Sequence, residues 1–146
     1  MGNSCSTKPT EVNKTQPQTQ VPTNPAEIQN LSNAKYCEDI GELSRAVEYY
    51  TLAAQANPRS GAAYRGVANC HSKLGDHTRS IYFYERAIQL DPSNKHCYTG
   101  LAAVYQNISK DDSSIKNYNK AIQIDPSFVE AYNGLGDLYY SRKKFS

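Results

Sequence analysis

The chain of 146 residues has no tryptophan, one methionine and three phenylalanines, so tyrosine, with 12 copies, is the dominant aromatic. No apolar run approaches the roughly 18 residues of a membrane-crossing helix, and no signal-peptide core is present. The mean hydropathy of −0.71 agrees. Charge of one sign is also lacking. The 16 basic and 14 acidic residues leave +2, which excludes a field strong enough to draw in nucleic acid or acidic ligands. There is no Cys-x-x-Cys pair. Cys5, Cys37, Cys70 and Cys97 are too sparse for the disulfide framework of a small secreted chain and read as reduced thiols of a cytosolic protein. In that compartment the Asn-x-Ser/Thr triplets at Asn13, Asn30 and Asn107 carry no meaning. A glycine-rich phosphate loop, a Gly-x-Ser-x-Gly elbow and any His-Cys or His-carboxylate cluster with metal spacing are all missing. No catalysis, metal or cofactor is therefore expected. The length fits one domain and is too short for a two-domain enzyme.

Composition changes near residue 25. Residues 1–24 hold Pro9, Pro17 and Pro22 among Thr, Gln, Ser and Asn, with Val12 and Val21 the only aliphatic residues after Met1. Such a segment buries too little apolar surface to offset its ordering entropy and is expected to be disordered. Asn24-Pro25-Ala26-Glu27 then opens a helix, with Asn at the cap, Pro at the first position and Glu three residues on.

From there the chain repeats. Residues 61–94 and 95–128 align without a gap at 12 identities in 34 positions. Tyr64-Arg65-Gly66-Val67-Ala68 recurs as Tyr98-Thr99-Gly100-Leu101-Ala102 and as Tyr132-Asn133-Gly134-Leu135-Gly136. Ala53 to Pro58, Ala87 to Pro92 and Ala121 to Pro126 end helices in the same way. A fixed period marks stacked supersecondary units. Each unit reads as two helices. Tyr64, Val67, Ala68 and His71 have helical spacing, Leu74-Gly75-Asp76 interrupts it, and Ser80, Ile81, Tyr84, Ala87 and Ile88 resume it. Gly75 suits a left-handed C-cap and Asp76 the next N-cap. Small residues at Ala68, Ser80 and Ala87 let paired helices approach, and Tyr64 and Tyr84 fill the gaps. Ser109 stands where Gly41 and Gly75 turn the other units, which predicts a strained or altered turn. His71 reads as packed, Cys70 and Cys97 as buried structural thiols.

These residues resemble the tetratricopeptide repeat. The second unit carries the pattern at Tyr64, Val67, Ala68, His71, Ser80, Tyr84, Ala87 and Pro92. The third carries it at Tyr98, Leu101, Ala102, Tyr105, Ser114, Tyr118, Ala121 and Pro126. The first matches weakly in its opening helix (Asn30, Asn33, Ala34, Cys37) and well in its second (Ala46, Tyr50, Ala53, Pro58). The fourth has Tyr132, Leu135, Gly136 and Tyr139 before the chain ends. The resemblance implies an all-α fold, an α-solenoid of helix-turn-helix repeats at 27–60, 61–94 and 95–128 with a partial unit at 129–146. That last helix is either the closing helix of a three-repeat array or part of a longer one. Leu138 and Tyr139 favour the latter, because they read as made to pack on a partner.

The resemblance further implies a concave groove lined by the first helix of each pair. Carried over position by position, it names Arg65, Asn69, Ser72 and Lys73, then His96, Thr99, Ala103, Gln106 and Asn107, then Glu130, Asn133, Asp137 and Tyr140. His96 faces the groove alone, and charge runs from Arg65 and Lys73 to Glu130 and Asp137. The groove's expected ligand is a peptide or helix of another protein. The chaperone-tail clamp of some family members is not expected. Arg65 and Asn69 could begin it, but Gly100, Glu130 and Gly134 replace its remaining Asn, Lys and Arg.

Met1-Gly2-Asn3-Ser4-Cys5-Ser6 matches the N-myristoylation pattern. One myristoyl group binds membranes marginally, at about 10⁴ M⁻¹, so Cys5 is the expected second, palmitoylated anchor. A flexible tether of residues 7–24 spans about 25 Å. The reading is a non-catalytic adaptor or scaffold, peripheral on the cytosolic face of a membrane. The alternatives are a soluble co-chaperone-like adaptor and the regulatory part of a larger enzyme.

Overall fold

The computed structural model describes residues 24–145, and of Phe145 the backbone alone. Gly2, Cys5 and the expected tether, apart from Asn24, lie outside the described residues. Seven helices follow one another: α1 (Pro25–Asp39), α2 (Leu43–Ala56), α3 (Gly61–Lys73), α4 (His77–Leu90), α5 (Lys95–Asn107), α6 (Asp111–Ile124) and α7 (Val129–Phe145). No strand occurs among the described residues. The fold is an all-α solenoid of helical hairpins. The starts of α2, α4 and α6, and of α3, α5 and α7, are each separated by 34 residues.

Local chemistry sets the helix ends. Asn24, Ser60, Asp76 and Asn94 cap α1, α3, α4 and α5, each side chain accepting from a backbone N–H of the first turn. Glu27 does not return to the Asn24 backbone as a capping box would. It is buried, and its carboxylate accepts from Asn57 Nδ2 at 2.8 Å. Asp91 and Asp125 shape the loops between hairpins, each accepting from the N–H and hydroxyl of a serine two residues on. The turns within hairpins share one form. Gly75 N–H donates to Ser72 O and Asp76 N–H to His71 O, and the same pair of bonds recurs around Gly41 and Ser109. Gly41 and Gly75 have φ of +84°, and Ser109 keeps the same hand at +61°.

Each helix packs on its sequence neighbours. The first helices also touch the next first helix (α1 on α3, α3 on α5, α5 on α7), whereas α2, α4 and α6 do not meet. The first helices therefore line the inner side of the curve. Ser80 and Ser114 hydroxyls donate to Ala68 O and Ala102 O at 2.8 Å, binding the hairpins at their closest approach. Between hairpins a tyrosine of each second helix lies on a glycine of the next first helix: Tyr50 on Gly66, Tyr84 on Gly100, Tyr118 on Gly134. A methyl group on any of these glycines would overlap the ring. Three small apolar clusters result, each shared by neighbouring hairpins.

α7 covers the last hairpin. Leu138 is 2% exposed and already buried within the protein, which corrects the expectation that it awaits a partner. Tyr139 and Tyr140 are exposed.

A left-handed serine costs about 1 kcal/mol or more, and glycine's extra unfolded-state entropy offsets part of the gain from replacing it. Ser109→Gly should stabilise the fold by about 0.5 kcal/mol, read as a higher urea midpoint at unchanged slope. A lower midpoint would show the turn is not strained.

Candidate functional site: the inner face of the solenoid

The inner face is organised by a place that recurs in the final turn of three first helices. It is filled by Glu38, Ser72 and Gln106, each 34 residues from the next and each twelve before a tyrosine that lies on glycine. A nearly buried phenol requires a hydrogen-bond partner or water. Tyr50 donates to Glu38 Oε2 at 2.7 Å, and Tyr118 donates to Gln106 Oε1 at 3.1 Å.

Glu38 gathers further donors. Its side chain is 5% exposed. The other carboxylate oxygen accepts from Asn69 Nδ2 and from Lys73 Nζ, the latter at 2.9 Å. Burial works against its charge, but the bonds from Lys73 and Tyr50 outweigh that cost and hold the carboxyl below its ordinary value. Burial first, and the bond to Glu38 second, push the Tyr50 phenol up.

This changes the expected groove. Asn69 and the exposed Lys73 both donate to Glu38, whose charge offsets that of the lysine, so the net positive charge at this end is that of Arg65. Arg65 is half-buried and makes no ion pair or hydrogen bond among the described residues. Thr99 is 3% exposed, and its hydroxyl donates within its own helix to His96 O at 3.1 Å, so it presents nothing to a ligand. Gln106 still borders the groove, with its carbonyl taken by Tyr118. His96 is not alone. Its ring meets Phe128 edge-on at 5.1 Å, and its Nδ1 is 4.0 Å from Glu130 Oε2. Burial, then the charge of Arg65, lower the His96 pKa, so the ring is neutral at neutral pH. Glu130, Asn133 and Asp137 are exposed along α7.

Next to the groove, Lys95 Nζ sits 2.5 Å from Asp125 Oδ2 and 4.6 Å from the centre of the Phe128 ring. The lysine, with the hydroxyl and N–H of Ser127, draws the Asp125 carboxyl down to about 2. His71 stacks on Phe83 at 5.8 Å. Burial pushes the thiols of Cys70 and Cys97 up to about 11 and about 12, so neither is a ready nucleophile. Among the described residues no group of three or more His, Cys, Asp or Glu could hold a metal ion. None of their helices is long and apolar enough to cross a membrane.

A family model described as the tetratricopeptide repeat matches residues 34–95, and one described as TPR repeat matches 108–142. The chain is built of tetratricopeptide repeats. Its fold is similar to the first TPR of Spaghetti (RPAP3) bound to the HSP90 peptide SRMEEVD, at a TM-score of 0.77 and 18% identity, over 82% of this chain and 95% of that one. It is also similar to MamA, at 0.74 and 28% identity over 82% and 70% of the two chains. The second TPR domain of human RPAP3, in complex with the HSP70 peptide SGPTIEEVD, gives 0.74 and 17% over 78% and 95%. No curated protein matches the sequence significantly. The tetratricopeptide register also accounts for a residue absent from the expected groove. Glu38 lies one period before Ser72, a position already assigned to it.

The folded-state pKa of Glu38 lies below its unfolded value. Its ionised form therefore stabilises the fold at neutral pH, and that contribution is lost as pH falls below the model-peptide value of 4.5. Glu38→Ala should cost about 2 kcal/mol at neutral pH by urea unfolding, because it leaves Tyr50 and Asn69 without their acceptor. Glu38→Gln should lose less stability than wild type between about pH 5 and about pH 3. Identical acid profiles would remove Glu38 as the linked group.

Proposed function

We propose that the tetratricopeptide array binds an extended segment or helix of another protein along its inner face, as a non-catalytic adaptor. We further propose that acylation at Gly2, with Cys5 as the second acceptor, holds it on the cytosolic face of a membrane. The observation that carries the first part is the exposed polar row of Glu130, Asn133 and Asp137 on the inner helix α7, continuing from Arg65 and His96. Amide, carboxylate and guanidinium groups at one-turn intervals can pair with the unsatisfied groups of a peptide backbone. RPAP3 domains of this fold hold chaperone peptides, which supports a peptide as the ligand class.

The second reading is a soluble co-chaperone-like adaptor. Those same complexes favour it, but the residues of this protein weigh against it. Asn69 and Lys73 are spent on Glu38. Gly100 and Gly134 lie under tyrosine rings, and Glu130 would repel an acidic tail.

The groove test uses exposed residues, so that loss of binding is not loss of folding. Immobilised wild type is compared with Glu130→Ala/Asn133→Ala/Asp137→Ala and with Tyr82→Ala on the outer helix α4. The triple variant should lose proteins that the other two retain; the same set from all three would place binding elsewhere. For the N-terminus, an alkynyl myristate analogue in a eukaryotic extract should label wild type and spare Gly2→Ala. Equal labelling would refute acylation at Gly2.

A further inference from the structure

The outer stripe of α7 lacks the cover that the other first helices have. In α3 and α5 the corresponding stripe lies under the second helix of the same hairpin. Ala68 and Ala102 are fully buried there, and their carbonyls accept from Ser80 and Ser114 of that helix. Gly136 holds the same place in α7. It is exposed, and a methyl group there would meet nothing within 4 Å. Tyr98 is 8% exposed. Tyr132, one period later, keeps the same bond from its hydroxyl to a proline carbonyl, yet it is 49% exposed. Tyr139 and Tyr140 are exposed as well.

These residues form a seam. Val129, Tyr132, Gly136, Tyr139 and Lys143 are separated by three and four residues in turn, the spacing that lets one helix pack along another. All five are exposed, while Ala131 and Leu138 face the other way, into the core. Gly136 is the middle one of the five, with a tyrosine about one turn to either side, so a second helix can approach most closely there. Charge is divided along α7. Its acidic residues are Glu130 and Asp137, and its basic residues are Arg142, Lys143 and Lys144 in the last turn. Arg142 is paired with Asp111 of α6 at 3.4 Å, and Lys143 and Lys144 continue past it.

We propose that this stripe is a self-association surface, on which α7 of a second copy of the chain packs antiparallel, the two helices crossing at Gly136. The surface fits its own copy: a small residue stands at its centre, tyrosines on both sides, and opposite charges towards its two ends. A two-fold axis through the crossing makes it self-complementary. Tyr132 of each copy then lies beside Tyr139 and Tyr140 of the other, and Glu130 beside the other copy's Lys143 and Lys144. A parallel pair would set the basic turns against each other. Asn133 and Asp137 project about a quarter to a third of a turn away from the seam, so the inner face stays open and the proposal does not rest on the groove reading. A helix of 17 residues is about 25 Å long, and one such pair makes an interface at the low end of size, so the dimer is reversible.

Sedimentation equilibrium of the full chain, from low micromolar to about 1 mM, should show a reversible rise from the 16.3 kDa of one chain towards a dimer. Gly136→Gln should keep the helical spectrum and a melting temperature at least as high, because glutamine is the better helix former and has open space there. It should weaken association at least about tenfold by crowding the crossing. Lys144→Glu should weaken association at low salt, and Glu130→Lys/Lys144→Glu should restore it. The cysteines of the described residues are buried. In a Cys5→Ser background, Gly136→Cys should therefore form a disulfide-linked dimer on mild oxidation. Val129→Cys should not, since antiparallel packing holds the two copies of residue 129 about 20 Å apart. A monomer at every concentration overturns the proposal and leaves the stripe to a helix of another sequence. Undiminished association of Gly136→Gln places the contact elsewhere and overturns it too. Failure of the charge exchange to restore association, or equal crosslinking through residues 129 and 136, overturns the antiparallel arrangement.

Discussion

A tyrosine ring of one hairpin lies directly on a glycine of the next, and the rest of the molecule is arranged around that contact. A helical hairpin of this size cannot bury its apolar stripe alone, and the array holds together through interfaces between neighbours. Tyr50, Tyr84 and Tyr118 supply most of the bulk at those interfaces, in a protein without tryptophan and with few phenylalanines. The rings reach across because Gly66, Gly100 and Gly134 have no Cβ. One added methyl in such a space is overpacking, a perturbation of about 1–3 kcal/mol. The contact thus sets the distance between successive first helices and, with it, the pitch of the inner face.

The same contact carries chemistry. Packing the ring brings its hydroxyl to the inner face, where it meets the last turn of the first helix of its own hairpin. What stands there differs among hairpins: a carboxylate at Glu38, a short hydroxyl at Ser72, an amide at Gln106. The difference decides the character of each section of the face. Around Glu38 the donors Tyr50, Asn69 and Lys73 are consumed and the charge is balanced. Around Gln106 a neutral pair closes the site. Around Ser72 the Tyr84 hydroxyl meets no side-chain acceptor among the described residues.

Much of the architecture was legible. The turns at Gly41, Gly75 and Ser109, the caps at Asn24 and Asp76, and the close approach at Ala68 and Ser80 all follow from residues adjacent in sequence or from the spacing of small residues within one repeat. The candidate site was legible only in outline. Thr99 occupies an inward-facing position, yet its hydroxyl bonds to carbonyls of its own helix. Glu38 went unnoticed because the first hairpin's opening helix matches the repeat weakly, although the period alone places it beside Ser72 and Gln106. Leu138 read as waiting for a partner, but α7 turns it into the existing core.

The sequence by itself determined the number of hairpins, their period and where each helix starts and stops. These depend on short-range effects, namely caps, left-handed turns and a hydrophobic spacing that repeats. Only the tertiary structure decided which polar side chains of the inner face are free. Tyr50, Asn69 and Lys73 converge on Glu38 from 12, 31 and 35 residues away in the sequence. Whether a donor is spent or available depends on which acceptor the neighbouring hairpin brings within reach, and that is settled only when the hairpins stack.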